Sequence, residues 1–259
     1  MLLGINIDHI AVLREARKVN DPDPLDAISL VKRSGADQIT IHLREDRRHI
    51  NDDDASKIIQ NAQLPVNLEC SINEEIIEKV LELRPHRATL VPEKREEVTT
   101  EGGLDVCKNQ KRITDIAKRL AKEHIELSLF IDPTSAMIEA SQQTGAQWVE
   151  LHTGLYANIY AMLYSNLSRS AHSIKALELD RESLHVKLIE ATHELEMAAK
   201  YAHQLGLKVA AGHGLNYHNV KRIVQIKEIC ELNIGQSIIA RSVFVGFEGA
   251  IKEMLGLLR

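Results

Sequence analysis

The feature that most constrains the fold of this chain is an alternation of strand-like and helix-like segments that repeats along its 259 residues. The strand-like segments are short and rich in Ile, Leu and Val, and the segments between them have helical periodicity. The predicted strands are 2–8, 38–43, 65–70, 87–92, 125–131, 148–153, 208–212 and 231–235. The predicted helices are 24–34, 52–62, 73–83, 109–124, 133–143, 186–205, 217–225 and 237–258.

Eight such units predict an α/β fold, the (β/α)8 TIM barrel with additional helices, as one domain over residues 1–259. The alternative is an open doubly wound sheet. We disfavour it because no GxGxxG motif follows the first strand.

The connection 154–207, between the sixth and seventh strands, is about twice as long as a βα unit needs. Its second part predicts one long helix, and its first part, "YANIYAMLYSNL", spaces Tyr156, Tyr160 and Tyr164 four residues apart. These tyrosines fit an extra helix packed on its own barrel. They fit a subunit contact equally well, because aromatic residues are enriched at interfaces.

Composition excludes several classes of protein. The chain has 32 Lys and Arg against 37 Asp and Glu, a net charge of −5, which argues against general nucleic-acid binding. Cys70, Cys107 and Cys230 are widely spaced and odd in number, as in a reduced cytoplasmic protein. The segment "MLLGINIDHI" is expected to be a strand rather than a signal peptide, and we expect no membrane span.

Polar side chains alternate with apolar ones where several predicted strands end. The pairs that share one strand face are Asn6 and Asp8, Thr40 and His42, Asn67 and Glu69, and Glu150 and His152. The intervening Ile and Leu side chains should face the outer helices, so these polar groups should point into the barrel. Burying unpaired polar groups costs several kcal/mol each, so a cluster of them at one end indicates a functional site.

Four of these chemically active side chains lie at the carboxyl ends of strands, where barrel enzymes carry their catalytic groups: His42, Glu69, Glu150 and His213. Taken singly, each could be a core histidine or an ion-paired glutamate. Together they predict acid–base chemistry. A metal site is disfavoured, because only the "DH" at 8–9 offers ligands and no HxH or HExxH motif is present. A Schiff-base lysine is disfavoured as well, because no predicted strand has Lys near its carboxyl end.

Two regions predict anion sites. The glycine-containing segments 211–219 and 233–242 follow the last two strands, where barrels often bind a phosphate, and they place Gly214, Gly235 and Gln236 for that purpose. The basic loop "REDRRH" predicts a second anion site around Arg44 and His49. The alternative interpretation is a solvent-exposed loop whose charged side chains form ion pairs with one another. Residues 92–105 are expected to form a lid, because two adjacent glycines in that segment can act as hinges.

Nearly the whole chain resembles the pyridoxine 5′-phosphate synthase family of vitamin B6 biosynthesis. The motifs that carry this resemblance, in order, are "GINIDHIAVLREAR", "HLREDRRHI", "NLE", "LVPEKREEVTTEGGLD", "ELHTG", "AGHGLNYHNV" and "ELNIG". The resemblance implies a barrel with extra helices that assembles as a homo-octamer, a tetramer of dimers. It implies condensation of 3-amino-2-oxopropyl phosphate with 1-deoxy-D-xylulose 5-phosphate to pyridoxine 5′-phosphate, phosphate and water, without a metal or cofactor.

The resemblance also implies a role for each site residue. His42 and Glu69 would accept protons, His213 would donate one, and Glu150 would stabilise charge. The residues implied to bind the aminoacetone phosphate are Asn6, Arg17, Gly214, Gly235 and Gln236, and those implied to bind the deoxyxylulose phosphate are Asp8, His9, Arg44, His49 and Thr99. Two features depart from the family: Gln236 stands where His is usual, and the connection 154–207 is longer.

Two other functions remain open from the residues alone. A different cofactor-free sugar-phosphate isomerase or lyase would need one phosphate site, whereas the sequence predicts two. A barrel that only binds a phosphorylated metabolite would have no need of His42, Glu69 and His213 together.

Overall fold

The computed structural model describes residues 1–93 and 102–259. Its eight strands form one closed barrel in sequence order, and each pairs in parallel with its neighbours. They are β1 Leu2–Asn6, β2 Gln38–His42, β3 Val66–Cys70, β4 Arg87–Leu90, β5 Glu126–Ile131, β6 Trp148–His152, β7 Lys208–Gly212 and β8 Ile229–Ile234. The predicted TIM barrel and all eight predicted strands are confirmed, with differences of a few residues at their ends.

Helices surround the barrel: α1 Asp8–Glu15, α2 Pro24–Ser34, α3 Asp52–Asn61, α4 Glu74–Leu83, α5 Val106–Lys122, α6 Ser135–Thr144, α7 Gly154–Tyr164, α8 Arg181–Gln204, α9 Val220–Val224, α10 Gln236–Val245 and α11 Phe247–Leu258. The single helix predicted over 237–258 was wrong. Gly246 has φ 76° and ψ 158°, a backbone conformation that favours glycine and that ends α10 before α11 begins. In the part of the chain that the structure describes, no helix is both long and apolar enough to cross a membrane.

The barrel separates apolar from polar residues as strand alternation predicts. Ile5, Ile41 and Leu68 are fully buried and belong to the hydrophobic core between strands and helices. The alternate side chains Asn67 and Thr40 are also fully buried, yet their side-chain oxygens make hydrogen bonds to other strands: Thr89 donates to Asn67 at 2.7 Å, and Thr40 donates to Asn233 at 3.1 Å. The polar residues therefore form an inner layer whose cost of burial is offset by hydrogen bonds between strands.

The connection 154–207 contains α7, two short 3₁₀ turns (Leu167–Arg169 and Lys175–Leu177) and the long helix α8. Tyr156 donates a hydrogen bond to the Asn219 carbonyl at 2.6 Å, and Tyr160 donates one to the His218 carbonyl at 2.9 Å. These contacts fit the interpretation of α7 as a helix packed on its own barrel. Tyr164 is 44% exposed, so the alternative of a subunit contact stays a prediction for the outer end of α7.

Candidate active site

The carboxyl ends of the strands surround a cavity of about 500 Å³, a usual volume for a small-molecule site. The predicted site residues that line it are Asn6, His9, His42, Arg44, Glu69, Glu150, His213, Gly214, Gly235 and Gln236. These residues come from the ends of six strands and from the loops that follow them. Barrel closure therefore brings together most of the residues that the sequence pattern selected.

His42 lies between two carboxylates on one side of the cavity. Its Nδ1 is 4.0 Å from Glu69 Oε2, and its Nε2 is 3.1 Å from Glu93 Oε1. Burial opposes the ionisation of Glu93, but hydrogen bonds from His42 and from the Glu45 N–H outweigh it and lower the pKa of Glu93. The pairing of an imidazole with carboxylates provides groups that can accept and donate protons at one place.

Asp8 holds the backbone beside His42. Asp8 Oδ1 accepts the His42 N–H at 2.9 Å, and Asp8 Oδ2 accepts the Asn6 side-chain N–H at 2.9 Å. The Asn6 side-chain oxygen in turn accepts the Asp8 N–H at 3.0 Å. These bonds join the end of β1 to the end of β2, so Asp8 and Asn6 both shape the cavity wall.

Asp8, His42 and Glu69 also have the spacing of a cation site, because one ligand atom from each lies within 4.8 Å of the others. It is the one such group found among residues 1–93 and 102–259. Two carboxylates and one imidazole suit several divalent metals. The sequence had disfavoured a metal because it has no local ligand motif, and these three residues come together only through the pairing of β1, β2 and β3.

Glu150 is buried at the centre of the barrel, 3% exposed. Asn233 donates a hydrogen bond to its Oε2 at 2.8 Å. Burial raises the pKa of Glu150 to about 7; the Asn233 hydrogen bond opposes this rise, and the negative charge of Glu231 adds to it. A carboxyl group with a pKa near neutrality can exist in both protonation states during turnover.

The loops after β7 and β8 form the opposite wall. Gly235 precedes α10, whose N-terminus opens at Gln236, and both residues line the cavity. A Cβ atom on Gly235 would lie 2.8 Å from Asn6 Cβ and 2.9 Å from the Asn6 carbonyl oxygen, so a larger residue does not fit. The free N–H groups and positive dipole of a helix N-terminus suit an anion such as a phosphate.

The basic loop after β2 divides into two parts. Arg44 is 3% exposed and lines the cavity, whereas Arg48 lies on the outside and forms an ion pair with Asp46 at 2.6 Å. The hydrogen bond from Arg48 holds the pKa of Asp46 well below its usual range, and Arg44 contributes to the same effect. Arg44 also lies 3.2 Å from Asp46, so the ion-pair interpretation fits both arginines, and the site interpretation fits Arg44, which lines the cavity.

Three predicted binding residues are placed differently from the rest, and a fourth lies outside the described residues. Arg17 is exposed on the segment after α1 and is not among the cavity-lining residues. Asp8 and His49 are buried behind the lining, and the His49 ring lies 6.1 Å from that of His42 in an edge-on contact. Thr99 and most of the predicted lid lie outside the described residues.

Several residues at the cavity were not among the predicted site residues. Glu93 contacts His42, Phe130 and Asn233 line the wall, and His152 lies beside His213 with its ring centroid 5.0 Å away. His152 had a detectable signal, since it shares a strand face with Glu150. Glu93 follows its strand without any such pattern.

A (β/α)8 barrel with carboxylates and imidazoles grouped at the carboxyl ends of its strands has the arrangement of the barrel enzymes. The family model described as "Pyridoxal phosphate biosynthesis protein PdxJ" matches residues 3–259. The chain therefore belongs to this family.

Curated relatives agree over the full length. The chain is 65% identical to pyridoxine 5′-phosphate synthase of a Nitratiruptor species, over 98% of this chain and 96% of the relative. It is 62% identical to the protein of that name from Aliarcobacter butzleri, over 100% of this chain and 99% of the relative.

Solved structures support the fold alone. Phosphoribosyl anthranilate isomerase from Thermococcus kodakaraensis superposes with a TM-score of 0.59 at 12% identity, covering 100% of this chain and 98% of that one. The tryptophan synthase A-subunit from Pyrococcus furiosus superposes with a TM-score of 0.56 at 11% identity, covering 98% and 97%.

Proposed function

We propose that this protein is a pyridoxine 5′-phosphate synthase that condenses 3-amino-2-oxopropyl phosphate with 1-deoxy-D-xylulose 5-phosphate and releases phosphate and water. The observation that carries the proposal is the convergence of His42, Glu69, Glu150 and His213 on one cavity. Arg44 lies on one side of this cavity and the N-terminus of α10 on the other. Two anion-binding walls suit two phosphorylated substrates.

The proposed chemistry is acid–base catalysis. The substrate supplies the amine, so no protein lysine is needed to form an imine. Glu69 and His42 accept protons from the condensing carbon skeleton, and His213 donates a proton to a leaving oxygen. Glu150, with its pKa raised to about 7 by burial, stabilises charge that develops as bonds rearrange.

Each proposed substrate binds on one side of the cavity, one near the N-terminus of α10 and the other near Arg44. Asn6, Gly214, Gly235 and Gln236 hold the aminoacetone phosphate near α10, and Arg17 and Thr99 are assigned by resemblance alone. Asp8, His9, Arg44 and His49 hold the deoxyxylulose phosphate. We further propose the homo-octameric assembly and the cytoplasmic location that the resemblance implies, with no cofactor.

The test is to incubate purified protein with both substrates and follow pyridoxine 5′-phosphate by its ultraviolet absorbance and mass, together with the release of inorganic phosphate. Reactions that lack either substrate are the controls. Product that forms only with both substrates supports the proposal. Conversion of one substrate alone would indicate an isomerase or lyase, and binding without turnover would indicate a non-catalytic barrel.

A further inference from the structure

His213 is held in a backbone conformation that few side-chain-bearing residues adopt. Its φ is 79°, in the left-handed region, and it directly follows the end of β7 at Gly212. A bulky residue keeps such a conformation only where surrounding contacts determine it, and such residues cluster at functional sites. The contacts that hold His213 therefore bear on how its imidazole is presented to the cavity.

Thr153 makes contacts of this kind. Its hydroxyl lies 2.7 Å from the Gly212 carbonyl oxygen and 2.6 Å from the His213 carbonyl oxygen. These carbonyls belong to the two peptide groups on either side of the His213 Cα, so one shared hydroxyl proton restrains both φ and ψ of His213. The Thr153 N–H also donates to the Gly212 carbonyl at 2.9 Å, and Thr153 is fully buried.

His152 contacts the imidazole of His213 from the side. The two rings meet edge to face with centroids 5.0 Å apart, and Phe130 packs on His152 at 5.1 Å. His152 Nδ1 lies 3.2 Å from Asp132 Oδ1, and this oxygen also accepts the Gly103 N–H at 2.9 Å. The Asp132 carboxylate therefore fixes the ring of His152, in the way that carboxylates orient histidines in other active sites.

Gly154 makes this contact possible. A Cβ atom at Gly154 would lie 2.5 Å from His152 Nε2 and 3.2 Å from His213 Cδ2. Three consecutive residues, His152, Thr153 and Gly154, thus all act on His213, and we name them the 152–154 cradle.

We infer that Thr153 and His152 are positioning residues for the reaction, which hold the His213 imidazole at the angle from which it donates its proton. The inference rests on the proposed function in one respect, the role of His213 as a proton donor. Small misplacements of a catalytic group lower turnover strongly while substrate binding is retained.

The kinetic test compares Thr153→Val with Thr153→Ser. The valine variant loses the hydroxyl but keeps the shape, and we expect kcat to fall about thirtyfold with KM changed less than about twofold. The serine variant keeps the hydroxyl and should recover to within about threefold of wild type. Thr144→Val is the matched control, because Thr144 is also buried and donates to a backbone carbonyl, that of Ser141, on α6.

A double-mutant cycle separates positioning from general damage. If Thr153 acts through His213, Thr153→Val should have almost no further effect on kcat in a His213→Asn background. Independent effects that multiply would overturn the inference, as would a wild-type kcat in Thr153→Val.

Nuclear magnetic resonance tests the inference even if the protein does not make pyridoxine 5′-phosphate. The ring-proton resonance of His213, assigned by its loss in His213→Asn, should shift in Thr153→Val and Asp132→Asn but not in Thr144→Val. An unshifted resonance in both variants would refute the cradle. A shifted resonance in a protein that makes no pyridoxine 5′-phosphate would support the cradle and refute the proposed function alone.

Discussion

At the amino-terminal end of the barrel, a group of cationic and acidic side chains is matched in charge, whereas at the carboxyl end several acidic groups lie around two imidazoles and one arginine. We call the first group the floor cluster: Arg87, Glu126, Trp148, Lys208 and Glu231. Arg87 Nη1 lies 2.6 Å from Glu231 Oε1, and the Arg87 guanidinium carbon lies 3.7 Å from the centroid of the Trp148 ring. Trp148 donates to Glu126 at 2.9 Å. Charge is thereby compensated within the cluster.

The carboxyl end places Asp8, Glu69, Glu93 and Glu150 around His42, Arg44 and His213. The hydrogen bond that Glu150 accepts comes from the neutral Asn233 amide, and burial raises the pKa of Glu150 to about 7. The comparison shows that burial of a charge does not itself mark a function. A buried carboxyl group whose surroundings favour its protonated form is the better marker of a functional site, because such a group can take up and release a proton near neutral pH.

The largest effect is expected at the floor cluster. Arg87→Met should lower the free energy of unfolding by about 3 to 5 kcal/mol, because it leaves the Glu231 carboxylate buried without its cation. Urea denaturation measures this loss. Arg84→Met is the matched control, since the ion pair of Arg84 with Glu123 is exposed and should contribute less than about 1 kcal/mol. Equal stabilities for the two variants would remove the distinction between the ends of the barrel.

The next effect concerns catalysis at the carboxyl end. Glu69→Gln should lower turnover at least about a hundredfold, the usual loss for a positioned general base, and should leave the unfolding midpoint nearly unchanged. Steady-state kinetics and thermal unfolding measure the two quantities. Glu75→Gln, at an exposed carboxylate on α4, serves as the control. Wild-type turnover in Glu69→Gln would exclude Glu69 as the base.

A smaller effect is expected for phosphate binding. Arg44→Ala should weaken 1-deoxy-D-xylulose 5-phosphate about tenfold and 3-amino-2-oxopropyl phosphate far less, because a buried guanidinium makes charge-assisted hydrogen bonds to phosphate. Calorimetry with each ligand separately tests this. Arg48→Ala, which removes the outer arginine of the same loop, should affect neither ligand. Similar losses for both ligands in Arg44→Ala would mean that the two walls are assigned wrongly.

The smallest effect is a pH dependence of stability. The pKa of Glu150 is about 7 in the folded protein, above its ordinary value, so folding favours the protonated carboxyl group. The contribution of this proton to the free energy of unfolding is fully present at low pH and is lost as pH rises through about 7. Between about pH 6 and about pH 7 the wild type should lose about 1 kcal/mol relative to Glu150→Gln, which has no proton to release. Denaturation of both proteins at each pH measures the difference. A constant difference would contradict the raised pKa.

Strand alternation made much of this site predictable. Period-two patterning at 40–42, 67–69 and 150–152 placed polar side chains on the inner face, where His42, Glu69 and Glu150 line the cavity. The same expectation was wrong for 6–8, because β1 ends at Asn6 and Asp8 begins α1. The pattern holds because each strand must turn Ile or Leu toward the helices. The helix break at Gly246 was missed, since glycine is tolerated within helices and only its backbone angle shows where a helix ends.

The sequence by itself determined the eight βα units, the inward polar residues at the strand ends and the glycine-containing loops after β7 and β8, because these depend on periodicity and local backbone preference. Tertiary structure alone decided which of these residues meet. It placed Arg44 inward and Arg48 outward from one loop, gave His42 the partner Glu93, and set Thr153 against the carbonyls that flank His213. Such contacts join residues far apart in the chain, and they exist only once the barrel closes and fixes their distances.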